Sequence, residues 1–199
     1  MIAKEIYYYF KNALSHKLCN EIISYGNSLI KEKAFTGLNK INPIRKLTTK
    51  EKKVTDKIRK SNVAWIKDPW VYREIRPYIE LANKQANWNF QINGHEPIQF
   101  TEYTLGQFYE YHMDSFYEGN RRKLSMTVNL TDGSEYEGGD LYFKSIDRRK
   151  LEITEFTNNE FRSKGTLCVF PSYEIHKVTP VTKGMRYSLV LWSVGDAFK

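Results

Sequence analysis

A chain of 199 residues, 41% hydrophobic and 27% charged, has apolar content to bury one core and too much of it to stay disordered. No run approaches the roughly 20 apolar residues of a membrane span, and Met1-Ile2-Ala3-Lys4-Glu5 meets charge too early for a signal peptide, so a soluble cytoplasmic protein with no membrane partner is expected. The net charge of +8 admits an anionic partner, but eleven Lys and Arg cluster between Lys31 and Lys60, where a solvated basic face is the simplest account and nucleic acid the weaker alternative.

In chain order, Ser15 is a candidate N-cap for a helix whose apolar stripe runs through Leu18, Cys19, Ile22, Ile23, Leu29 and Ile30. Thr36 to Asn62, with Gly37, Pro43 and many Lys, reads as an irregular or partly helical basic excursion. Asp68-Pro69 marks the start of a second helix carrying Val71, Ile75, Ile79, Ala82 and Ala86, with Pro77 expected to kink or restart it.

The texture then changes to short alternating segments: Gln99 to Leu105, Leu124 to Leu130, Thr166 to Phe170, Glu174 to Thr179 and Arg186 to Val194. Helices followed by many strands predict a mainly β α+β domain, a sandwich buttressed by N-terminal helices. One domain over 1–199 is expected, with helical support and the basic segment in 1–98 and the strand core in 99–196. Cys19 and Cys168 sit in apolar contexts without metal-ligand spacing and read as reduced core residues.

The chemistry concentrates in three places. His112 and Asp114 lie two positions apart near a strand end, where period-2 geometry sends both side chains to one face. Imidazole plus carboxylate is part of the donor set of a facial iron(II) site, which needs a second histidine. His176, isolated among apolar residues, is the candidate. Arg186 opens a strand in which Arg186, Ser188, Val190 and Trp192 share one face, and a turn at Gly184 lets His176 and Arg186 face one cavity, where a guanidinium fork can hold a carboxylate. In the strand Leu124 to Leu130 the even positions are apolar, while Ser125, Thr127 and Asn129 form a polar face that either lines the cavity or meets solvent. Gly138-Gly139 reads as a tight turn with no phosphate-binding role.

The ordered series Tyr103-x-x-Gly106-x-x-Tyr109-x-x-His112-x-Asp114, Leu124-Ser125, Gly138-Gly139-Asp140-Leu141, Gly165, Phe170-Pro171-Ser172, His176 and Arg186 resembles the prolyl 4-hydroxylase superfamily of Fe(II)/2-oxoglutarate dependent dioxygenases, with an ending most similar to the bacterial PKHD-type hydroxylases. The resemblance covers roughly Gln99 to Trp192. It implies a double-stranded β-helix, a jelly-roll relative, with His112, Asp114 and His176 as iron ligands and Arg186 as anchor for 2-oxoglutarate. It further implies that Tyr103 bonds the cosubstrate, that Leu141 and Val178 wall its pocket, that Trp192 packs behind it, and that Asn129 stands where many relatives carry a second pocket tyrosine.

By the same resemblance the activity is hydroxylation with dioxygen and release of succinate and carbon dioxide, ascorbate serving as a possible reductant, and the expected partner is a protein or peptide substrate, its target a prolyl residue. Another amino-acid or small-molecule substrate is the alternative within the class. Nucleic-acid repair is disfavoured because such dioxygenases usually carry a second arginine six positions after the first, where this chain has Trp192. A non-catalytic jelly-roll binding module with a basic face is the alternative outside it. A monomer or homodimer fits either reading.

Overall fold

The computed structural model describes residues 5–34, 56–115, 121–147 and 152–196. Six of the eleven basic residues of the 31–60 segment, and most of the expected irregular excursion, fall in 35–55 and so lie outside the described residues. The part of that excursion that is described ends in strands: β3 (Arg59–Lys60) and β4 (Asn62–Ile66).

A short strand β1 (Tyr8–Phe10) precedes helix α1 (His16–Ser28). Ser15 caps α1 as expected, its Oγ accepting from the Leu18 N–H at 3.2 Å. Leu29 is extended at φ −83° and ψ 157°, so the helix stops and Ile30 leaves the apolar stripe to stand 95% exposed. Gly26 matters more than the stripe suggested. A Cβ there would lie 2.5 Å from the Phe100 ring, so glycine alone lets α1 come this close to the sheet.

After β2 (Glu32–Lys33) comes the second helix, α2 (Pro69–Gln85), which buries Val71, Ile75, Ile79 and Ala82 as their spacing predicted. The restart expected at Pro77 does not occur, and the helix is one element through it. Pro77 sits on the exposed face, where the carbonyl one turn back, deprived of its N–H partner, can turn to solvent. Asp68 makes no side-chain cap bond; its carboxylate accepts from the Tyr25 hydroxyl instead.

The strands β5 (Gly94–His95), β6 (Ile98–Tyr103), β7 (Phe108–His112), β8 (Arg122–Asn129), β9 (Tyr136–Gly138), β10 (Leu141–Asp147), β11 (Glu152–Phe156), β12 (Leu167–Pro171), β13 (Ile175–Val178), β14 (Val181–Gly184) and β15 (Arg186–Val194) complete two antiparallel sheets. The larger runs β1-β12-β8-β15-β6-β4-β2, with β5 on the far end of β15; the smaller runs β11-β10-β13-β7-β3; β9 and β14 form a separate ribbon. This is the mainly β, jelly-roll architecture expected.

Two apolar clusters hold it. On the outer face of the larger sheet, Ile22, Ile75 and Ile79 from the helices pack with Phe100, Met126, Leu189 and Leu191, each such buried side chain contributing about 1.5–3 kcal/mol. Phe143, Phe161, Cys168 and Phe170 form a smaller cluster. Cys19 and Cys168 are both buried and free. Gly138 and Gly139 have φ of 68° and 64°, the left-handed backbone that the expected turn requires. No helix among the described residues is long and apolar enough to cross a membrane.

Candidate metal centre

β7 and β13 pair with His112 opposite His176, so their rings meet on one face with centroids 4.2 Å apart. Each ring is fixed by the same local contact: His112 Nδ1 lies 2.8 Å from the Glu110 carbonyl, and His176 Nδ1 lies 2.9 Å from the Glu174 carbonyl. A carbonyl can only accept, so each Nδ1 donates its hydrogen and each Nε2 keeps a lone pair. Those Nε2 atoms stand 3.7 Å and 3.6 Å from Asp114 Oδ1 and Oδ2. The three donor atoms fall within 4.8 Å of one another, which fits ligands that surround one ion at roughly 2.1 Å. Two neutral imidazoles and a carboxylate suit iron(II) and leave coordination positions open.

Asp114 lies just beyond the end of β7 and is held from the larger sheet. Its N–H and that of Ser115 donate to the Ser172 carbonyl at 2.9 and 2.8 Å, and Ser125 Oγ donates to its Oδ2 at 2.6 Å, with Ser172 Oγ a further 3.0 Å from Ser125. Arg122, gripping Glu96 through two 2.6 Å bonds and lying 3.9 Å over the Trp192 ring, brings Nη1 to 4.0 Å from Asp114 Oδ1. Burial acts to raise the Asp114 carboxyl, but the two imidazoles, Arg122 and the Ser125 bond outweigh it and hold the group below its ordinary range, so it stays ionised. Burial, reinforced by the neighbouring His176, pushes His112 down to about 3 despite the opposing pull of Asp114. Its ring is therefore neutral and able to ligate at any ordinary pH.

The same cavity receives the inner face of β15, where Arg186, Ser188, Val190 and Trp192 line it as the alternation predicted. Arg186 pairs in register with Tyr103 of β6, and its guanidinium carbon lies 5.7 Å from the Tyr103 ring centroid. The guanidinium makes one long contact, Nη1 to Ser188 Oγ at 3.4 Å, while its buried Nε has no partner among the described residues. A buried charge left so poorly satisfied is costly, and a ligand carboxylate is the group that would relieve it. Leu141 and Val178, in register across β10 and β13, also line the cavity.

Asn129 departs from the expectation. It is not among the residues lining this cavity, and its amide donates to the Thr131 and Arg162 carbonyls, both at 2.7 Å. The polar face of β8 does turn inward, but Ser125 there serves Asp114 and Thr127 lines the cavity. Two further wall residues, Gln99 and Arg59, and Arg122 beside Asp114 were not anticipated. Gln99 follows the period-2 face of β6 and was open to the alternation argument. Arg122 opens β8 with no motif of its own. Arg59 sat in a segment read as irregular, yet its guanidinium lies 4.5 Å from the Tyr109 ring, which in turn stacks on His112 at 3.5 Å.

A jelly roll that gathers two histidines and a carboxylate between its sheets has the donor set of a non-haem metal site. Residues 98–194 match the family model described as the 2OG-Fe(II) oxygenase superfamily. A PKHD-type hydroxylase of Alteromonas mediterranea is 37% identical over 73 residues, 36% of this chain and 28% of that protein, so the match spans under a third of the relative's length. Among solved structures, a Pseudomonas putida prolyl-4-hydroxylase aligns with a TM-score of 0.63 at 20% identity, covering 98% of this chain and 95% of that one. A Trichoplax adhaerens prolyl hydroxylase, in complex with a peptide fragment of hypoxia inducible factor, aligns at 0.64 and 17% identity, covering 95% and 83%. The match to the 2OG-Fe(II) oxygenase superfamily thus covers the strand-rich part of this chain, and it points to Fe(II) and 2-oxoglutarate at the site just described.

Proposed function

We propose that the protein is an Fe(II)- and 2-oxoglutarate-dependent hydroxylase of a prolyl residue in a protein or peptide. The observation that carries this reading is the convergence, in one cavity, of the donor set His112, Asp114 and His176 with the under-satisfied guanidinium of Arg186. The neighbours support the choice of substrate: one is a PKHD-type hydroxylase by name, and another was solved with a peptide bound. In this reading His112, Asp114 and His176 hold the iron. Bound there, iron activates dioxygen so that oxidative decarboxylation of 2-oxoglutarate to succinate and carbon dioxide drives hydroxylation of the substrate.

The chain's own residues then have separate tasks. Arg186 takes the cosubstrate's far carboxylate, with Tyr103 and Ser188 beside it, and Leu141, Val178 and Trp192 exclude water around it. Ser125 and Arg122 keep Asp114 ionised and oriented. Tyr109, a phenol that burial pushes up to about 12, stays protonated and presents its ring against His112 as a wall of the site. Asn129 acts through structure, fastening β8 to Arg162. Ascorbate is the reductant expected to sustain turnover.

The test is succinate release from 2-oxoglutarate with added Fe(II), read beside mass spectrometry of proline-containing peptides for a gain of one oxygen. Succinate with oxygen gained on proline supports the whole reading. Oxygen gained on other residues or on a small molecule overturns only the prolyl assignment, and no succinate under any condition returns the protein to a non-catalytic binding module.

A further inference from the structure

Arg59 lines the metal cavity and also a neighbouring groove of about 370 Å³ between β2, β3 and the turn that joins β6 to β7. The two spaces therefore share Arg59 as a wall, and its guanidinium rests on Tyr109, which stacks on His112. Lys33 and Lys60 line the groove, both exposed and neither in an ion pair with any described residue. Among the described residues Arg59 hydrogen-bonds through Nε alone, to Ser61 Oγ at 2.9 Å. Asp56 is the single acid among the described residues that line the groove. By contrast Lys31, close by in sequence, is already paired with Glu102.

The charge is local. From Lys31 to Lys60 eleven Lys and Arg face three acids, Glu32, Glu51 and Asp56, a balance of +8 that equals the net charge of the whole chain. The remainder is neutral, so the excess belongs to this stretch of sequence, and three of its described cations, Lys33, Arg59 and Lys60, line the groove. Leu105, 73% exposed, adds an apolar foothold on the groove wall. None of the described residues lining the groove is aromatic, whereas a single-stranded nucleic-acid track combines cations with rings on which bases stack. The described lining, with its cations and one apolar contact, suits a polypeptide that carries carboxylates.

We propose that this groove docks an acidic stretch of the polypeptide substrate, adjoining the residue that enters the metal cavity. The proposal rests on the peptidyl hydroxylase reading above and adds the sequence character of the target.

The full chain, supplied with Fe(II) and 2-oxoglutarate, is assayed against proline-centred peptides in three matched sets, flanked by Asp and Glu, by Asn and Gln, or by Lys. A KM about tenfold lower for the acidic set than for the amide set is expected from three surface charge contacts, with the advantage shrinking as salt screens it. The double variant Lys33→Gln/Lys60→Gln should bring the acidic-to-amide KM ratio towards one, and Lys33→Arg/Lys60→Arg should preserve it. Hydroxylation with the same KM in all three sets would overturn the docking groove and leave the hydroxylase reading standing. If 2-oxoglutarate is consumed but no peptide gains oxygen, the hydroxylase reading fails and this proposal with it. Oxidation of a single-stranded RNA or DNA oligonucleotide, weakened by Lys33→Gln/Lys60→Gln, would assign the groove to nucleic acid and overturn it equally.

Discussion

The two faces of the larger sheet are built from the same strands and do opposite work. From β8, Met126 and Val128 enter a dry cluster under the helices while Ser125 and Thr127 face the metal cavity; from β15, Leu189 and Leu191 go one way and Arg186 and Ser188 the other. Stability is concentrated on the helix side, where apolar burial has no function to satisfy. The inner face gives up that burial for buried polar groups, which cost free energy unless each is matched by a partner. Among the described residues Arg186 is a charged group whose match is incomplete, which is why a ligand carboxylate suits that place.

The sharpest break of that comparison is Asp114→Ala. Metal binding and turnover should fall by more than about a hundredfold, since a first ligand matters more than the outer partners whose loss costs ten- to hundredfold. The melting temperature of the metal-free protein should fall at neutral pH, though by less than Leu189→Ala lowers it, because the fold holds the ionised carboxylate through Ser125 and the neighbouring cation. Leu189→Ala on the opposite face should do the reverse: a loss of about 2–5 kcal/mol in denaturant melts, with metal affinity of the folded fraction unchanged in a titration. Equal damage to both readouts from either variant would show that the faces are not separable.

Alternation made much of this legible in the sequence. β15 begins and ends where its pattern does, and its inward residues are the ones that line the cavity. The clustering of His112, Asp114 and His176 was legible because their chemistry is rare and their order distinctive. What escaped was set by pairing between distant strands rather than by local pattern. The opposition of His112 and His176 is a register fact; Gly26 matters because Phe100 lies beneath it. Asn129 shares the parity of Ser125 and Thr127, but the Arg162 carbonyl that claims its amide is 33 residues away in sequence. Of the kink or restart expected at Pro77, the restart does not occur because Pro77 faces solvent, which periodicity at that one position did not decide.

Arg186→Met tests the unmet charge. Replacing a charge-assisted, bidentate anchor should weaken 2-oxoglutarate binding about ten- to hundredfold and leave metal affinity within about threefold, as read by calorimetry with each component. A folded state stabilised by the substitution would show that the guanidinium is costly without its ligand.

Acid should loosen the inner face first. His112, held at about 3 against an ordinary 6.5, takes a proton more readily in the unfolded chain, so its contribution is intact above about pH 6.5 and lost as pH falls towards 3. Asp114, also depressed, contributes above its ordinary value near 3.8 and loses that only at still lower pH. In melts of the metal-free protein, His112→Gln should flatten the limb between pH 6.5 and 3 while Leu189→Ala shifts the whole curve down without changing its slope.

The finest test separates neighbours one residue apart. Ser125→Ala removes the hydroxyl that donates to Asp114 Oδ2 at 2.6 Å, and the carboxylate should drift in orientation, lowering metal affinity about tenfold with little change in fold. Met126→Ala, on the other side of the same strand, should cost stability and spare the metal. Thr127→Val is the control, since Thr127 lines the cavity but makes no hydrogen bond to His112, Asp114 or His176 among the described residues, and it should change metal affinity less than about threefold. If Ser125→Ala behaves like Thr127→Val, the strength of the metal site comes from the three ligands and the Ser172 backbone contacts alone, and the larger sheet's share in holding Asp114 is confined to its main chain.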